Sequence, residues 1–95
     1  MDTENIDFFA NKYNEENWLR FAKCFEKNNF TYDVNEKIPQ DVFNSLAGLL
    51  GVDESKQWIT RELKQLDLKT PIELAKTDKG LKALKALIMR MPNYK

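Results

Sequence analysis

The sequence contains no histidine and a single cysteine, and it holds only three glycines and three prolines. Without imidazole there is no Ser-His or Cys-His nucleophile pair, and one thiol cannot assemble a thiolate and imidazole zinc cluster. The scattered glycines form no phosphate-cradling loop. The stretch "DVNEKIPQD" resembles a calcium loop only loosely, because Lys37 and Ile38 stand where a ligand and the obligatory glycine belong. Carboxylates are plentiful, but their spacings are those of solvated helix faces rather than of an acid-base pair. The expectation is a non-enzymatic protein with no catalytic residue, cofactor or metal.

Other shortages bound the setting. Cys24 has no internal disulfide partner, and "MDTENIDFF" lacks the basic region and apolar stretch of a secretory signal, so a cytoplasmic location is expected. The longest apolar cluster, "ALKALIMRM", is interrupted by Lys85 and Arg90 and falls well short of the ~20 residues of a membrane span, so no membrane partner is expected. No repeat, low-complexity tract or Gly/Ser linker divides the chain. The 95 residues read as one domain, with N-terminal helices and a connector over 1–40 and a second region over 41–95.

What is present is hydrophobic surface and charge, at 42% and 32% of residues, a balance that supports a packed core. The charge is unevenly placed. Residues 1–55 hold five basic and eleven acidic side chains, residues 56–95 ten basic and four acidic ones. The two halves are therefore suited to pair with each other, within the chain or in a dimer, and the basic half is suited to an anionic partner.

Apolar periodicity predicts an all-α fold, a small bundle of five to six short helices. Ile6, Phe9 and Tyr13, with Phe8 alongside, mark a short first helix. Asn14 caps a second, with Glu15 and Glu16 in its first turn, Trp18, Phe21, Ala22 and Phe25 on one face, and Asn28 and Asn29 at its end. Phe30, Tyr32 and Val34 alternate, which suits an extended connector near residues 30–34 or a strand paired across a dimer. Pro39 then suits a first helical turn, Val42, Phe43, Leu46, Leu49 and Leu50 a buried face, and Gly51 a left-handed stop. Asp53 is the expected cap of a continuous helix through "ESKQWITRELKQL", with Trp58, Ile59, Leu63 and Leu66 inward.

Thr70-Pro71-Ile72-Glu73 is a capping box, and Thr77, Asp78 and Gly80 form a second start seven residues later, with Gly80 passing close to a neighbour. The last helix then carries Leu81, Leu84, Leu87, Ile88 and Met91 inward and Lys79, Lys82 and Lys85 outward, until Pro92 ends it. Cys24 reads as a small hydrophobe rather than a nucleophile. The aromatics before residue 33 read as core rather than as a base-stacking platform, since they lie in the acidic half. Residues 42–65 outline a helix-turn-helix in which Lys56, Arg61 and Lys64 would meet DNA phosphates, although Trp58 and Ile59 stand out of register for that motif.

Trp58-Ile59, Thr70-Pro71-Ile72-Glu73-Leu74, Thr77, Gly80 and the aliphatic run of Leu84, Leu87 and Ile88 together resemble the toxin-binding domain of the Xre/MbcA/ParS-type antitoxins. The resemblance covers roughly the last 50 residues. It implies a bacterial all-α protein, dimeric or of higher order, that neutralises a RES-domain toxin consuming NAD or transferring ADP-ribose from it. It implies that Trp58, Thr70, Pro71, Glu73, Leu74, Thr77 and Gly80 are structural. It also implies that the last helix and tail block the toxin's cleft, with Lys82, Lys85, Arg90, Asn93, Tyr94 and Lys95 as partner-binding residues. Two other readings stand beside it: a small DNA-binding repressor using residues 42–65, and an accessory protein that keeps the fold without a toxin, suggested by the altered "RELKQLD" and "MPNYK".

Overall fold

The computed structural model describes residues 4–25 and 38–90. Six α-helices run through them: α1 (Glu4–Lys12), α2 (Glu15–Lys23), α3 (Gln40–Leu50), α4 (Val52–Trp58), α5 (Pro71–Leu74) and α6 (Asp78–Ile88), with one 3-10 turn at Lys64–Leu66. The all-α architecture is the expected one. Among the described residues there is no strand, only an isolated antiparallel bridge between Leu63 and Lys69. The segment near residues 30–34, expected to be extended, lies outside the described residues.

Local chemistry sets most of the helix starts. The Asn14 side chain accepts from the Asn17 amide at 2.9 Å, which satisfies one of the donors that the first turn of α2 leaves over. That helix ends at Lys23, earlier than the asparagines expected to close it. Pro39 precedes α3 as its cap, with extended backbone (φ −55°, ψ 146°), instead of occupying the first helical position.

Gly51 is both the C-cap of α3 and the N-cap of α4. Its φ of 92° is open to glycine without penalty, but its ψ of 158° is extended, so it does not form the left-handed stop expected from sequence. Because the Gly51 carbonyl already accepts from the Ser55 amide at 3.0 Å, α4 starts at Val52 and the expected Asp53 cap is not used.

The larger departure lies after α4. The continuous helix expected through Leu66 stops at Trp58, and the Thr60 hydroxyl donates to the Gln57 carbonyl at 2.8 Å. The chain then folds back on itself. The Leu63 amide donates to the Lys69 carbonyl at 3.0 Å, and the Leu68 amide donates to the Leu63 carbonyl at 2.8 Å. Closing this loop places Asp67 and Leu68 at φ 60° and 63°, a region that costs non-glycine residues about 1–2 kcal/mol each. Asp67 gains something in return. Its carboxylate accepts from the Asn5 amide at 3.4 Å and the Ile6 amide at 3.0 Å, capping α1 from a position 61 residues away from Ile6.

The core gathers Trp18, Ile38, Val42, Phe43, Leu46, Ile59, Leu66, Leu84 and Ile88, each essentially without solvent contact. Each such aliphatic or aromatic side chain contributes about 1.5–3 kcal/mol of transfer free energy. Leu63 and Leu66 are buried as expected, although an extended bridge residue and a 3-10 turn deliver them instead of a helix face. α1 lies chiefly along α6, α2 against α3, α3 against α4, and α5 against α6.

Two expectations of burial need correction. Phe8 is 50% exposed, because α1 meets the rest of the protein through Ile6 and half-buried Phe9 and leaves Phe8 on its outer side. Cys24 is exposed as well, since α2 ends before it and its thiol faces outward, 3.6 Å from the Arg20 carbonyl oxygen.

Candidate interaction surface on the last helix and its caps

The stretch from Thr70 to Gly80 holds two helix starts in the geometry that each requires. Thr70 has extended backbone, its hydroxyl oxygen accepts from the Glu73 amide at 3.1 Å, and Glu73 Oε1 accepts in return from the Thr70 amide at 2.9 Å. Pro71, whose missing N–H is not needed at the first helical position, is buried beneath. The Thr70 amide, and after it the Thr70 hydroxyl, holds the Glu73 carboxyl below the usual glutamate range. α5 is one turn long, and the Ile72 amide donates to the Ile59 carbonyl at 3.3 Å, which ties it to the residue that ends α4.

The second start follows at once. The Thr77 hydroxyl oxygen accepts from the Gly80 amide at 3.0 Å. A methyl group on Gly80 would lie 2.3 Å from the Leu74 carbonyl oxygen and 2.8 Å from Thr77 Oγ1, so α6 can launch this close to α5 only from glycine. Trp58, Pro71, Leu74 and Gly80 are buried, and Thr70, Glu73 and Thr77 make the caps. All seven are therefore buried or capping, and Thr77, Gly80 and Leu74 fix where α6 starts against α5.

The expected partner-binding residues divide into three groups. Lys82 and Arg90 are exposed; Lys82 pairs with Asp78 one turn back at 3.5 Å, and the Arg90 guanidinium sits 5.4 Å from the centre of the Phe9 ring. Lys85 departs from the outward position read from periodicity. It is half-buried, with its ammonium 5.4 Å from the ring centre of Trp18 on α2 and 5.8 Å from that of Tyr13, just before α2. Asn93, Tyr94, Lys95 and the helix-ending Pro92 lie outside the described residues, as does Met91. α6 itself closes at Ile88, with Met89 as its cap.

The two halves of opposite charge meet within the chain. Lys79 of α6 pairs with Asp7 of α1, while Asp67 from the basic half caps the same helix. Trp18 Nε1 donates to Asp41 Oδ2 at 2.9 Å, linking α2 to α3 beneath Lys85. Tyr13 donates to the Glu15 carboxylate, and its phenol is pushed up well beyond the ordinary tyrosine value, chiefly by burial and then by that hydrogen bond. The Asp67 cap had no local signal in the sequence, since donors and acceptor come from opposite ends of the chain.

The candidate DNA contacts do not share one helix. Lys56 is half-buried on α4, Arg61 lies beyond its end and pairs with Glu54 at 3.1 Å, and Lys64 stands on the 3-10 turn. A recognition helix presenting all three to a groove would need the continuous element that the break at Trp58 removes.

The described residues define a small all-α protein with a capped, cation-bearing final helix. The chain matches no family model, no curated protein and no solved structure. No helix among the described residues is long and apolar enough to cross a membrane.

Proposed function

We propose that the chain is a non-catalytic interaction protein, an antitoxin that binds a RES-domain toxin consuming NAD or transferring ADP-ribose and occludes its active site. The observation that carries this reading is the paired cap. The motif residues through which the sequence resembles the toxin-binding domain build one structural unit, in which the Thr70-Glu73 box turns the chain and the Thr77-Gly80 cap sends α6 back across it. α6 presents Lys82 to solvent, and Arg90, just past its end, is exposed beside the Phe9 ring. Cations there suit a cleft shaped for the phosphates of a dinucleotide, and the block is steric and electrostatic.

The test uses a RES-domain enzyme encoded beside the chain, and the absence of one counts against the reading. Its NAD consumption is measured with wild-type protein, with Lys82→Glu/Arg90→Glu, and with residues 92–95 deleted. Charge reversal on α6 is expected to raise the concentration needed for half-inhibition at least tenfold. Inhibition undiminished by the deletion removes the tail from the mechanism and leaves α6 to carry it. Inhibition unaffected by either change rules out occlusion by this part of the protein.

A further inference from the structure

A cavity of about 420 Å³ opens where the first turn of α1 meets α5 and the start of α6. That size falls in the range of small-molecule sites, which run from about 300 to 1,000 Å³. Its lining is of two kinds. Ile6, Leu74 and Gly80 supply buried, apolar surface, and Lys69, Lys76 and Lys79 are the lysines that line the same hollow. The three lysines come from separate stretches: the residue after the left-handed pair, the residue between the two caps, and the first turn of α6.

The cations here outnumber the anions. Glu73 also lines the cavity; its Oε1 accepts from the amide and the hydroxyl of Thr70, and its single charge is shared between Lys69 and Lys76. Asp7 neutralises Lys79. Lys69 and Lys76 have no ion-pair partner among the described residues. Like charges gathered over apolar surface repel one another, and an anion lodged between them relieves the repulsion while its apolar part covers the floor.

We propose that this cavity binds a small organic anion with an aliphatic body, its carboxylate or phosphate headgroup held by Lys69 and Lys76 and its chain laid on Ile6 and Leu74. Among the described residues no aromatic ring lines the cavity, which favours an aliphatic over a stacked ligand. Lysine ammoniums act as point charges and accept either headgroup. Because Ile6 belongs to α1 and the other contacts to the segment from Lys69 to Gly80, an occupant bridges the two ends of the chain and stabilises their docking. Lys82, Lys85 and Arg90, the proposed toxin contacts among the described residues, do not line the cavity, so this site and the antitoxin reading are tested separately.

The experiment titrates the intact protein with octanoate and with octyl phosphate below their micelle concentrations, reading bound heat and Tm. Octanol and inorganic phosphate serve as controls lacking the charge or the chain. Saturable one-to-one binding and a raised Tm are expected with at least one of the two alkyl anions, and the tighter of them identifies the headgroup. Lys69→Gln/Lys76→Gln should weaken it about three- to tenfold, the loss of two partly exposed charge contacts, with an unchanged helical circular dichroism spectrum. Lys76→Gln alone, at an exposed position, should show a smaller loss in the same direction. No saturable binding of either alkyl anion at millimolar concentration overturns the proposal, as does octanol binding equal to octanoate or undiminished affinity in the double variant.

Discussion

Gly80→Ala puts the geometry of the two caps under the sharpest strain. At an ordinary exposed helix position this change is favourable by about 1 kcal/mol, because alanine is the better helix former. Here the new methyl group would lie 2.3 Å from the Leu74 carbonyl oxygen, a backbone atom that cannot rotate away, and 2.8 Å from Thr77 Oγ1. Moving α6 out far enough to admit it stretches the 3.0 Å bond from the Gly80 amide to that hydroxyl. Loss of a threonine cap costs about 0.5–2 kcal/mol, and overpacking a tight contact about 1–3 kcal/mol. Against the propensity gain, the net is a destabilisation of about 0.5–4 kcal/mol. For a domain of this size each kcal/mol corresponds to roughly 4–8 °C in Tm. Urea unfolding followed by circular dichroism reads it directly as a lower midpoint at an unchanged slope. A variant as stable as wild type, or more stable by the propensity gain, would show that α6 does not start against α5 in this way.

The other expectations concern single groups. Ser55 is fully buried and its hydroxyl has no hydrogen-bond partner among the described residues, so Ser55→Ala should raise stability by about 1 kcal/mol in the same urea assay; a loss would mean that the hydroxyl is satisfied. Leu68 holds a left-handed backbone while its side chain is 56% exposed, so Leu68→Asn, which tolerates that backbone, should stabilise by up to about 1 kcal/mol. The Glu73 carboxyl is held below its ordinary value of 4.5, so the stability it contributes is complete above that pH and is lost as pH falls through the lower, folded value. The stability difference between wild type and Glu73→Gln should therefore be constant near neutrality and shrink below pH 4.5; a difference that grows on acidification contradicts the capping box.

The sequence disclosed those parts of the fold whose determinants are local. Asn14, Thr70, Glu73, Thr77 and Gly80 act within three or four residues of where they stand, and the structure uses each as a cap or a close approach. The buried face of α3 and the stripe on α6 follow from simple periodicity. What periodicity could not disclose depends on distant partners. The stretch from Trp58 to Leu66 has helical spacing, yet the Leu63–Lys69 bridge and the cap that Asp67 gives α1 break it. Lys85 has the sequence position of a solvent-facing lysine, and only the placement of α2 brings Trp18 and Tyr13 to it. The cavity between α1 and Lys69–Gly80 was invisible for the same reason, since its two walls are some 60 residues apart.

The antitoxin reading comes down to whether a RES-domain enzyme is encoded beside this chain and to one titration, that enzyme's NAD consumption as this protein is added. Inhibition should become complete near a fixed stoichiometric ratio, with a complex of both chains on size exclusion and no NAD consumed by this protein alone. An enzyme that turns over NAD at its full rate with this protein in excess, and elutes apart from it, would contradict the proposal.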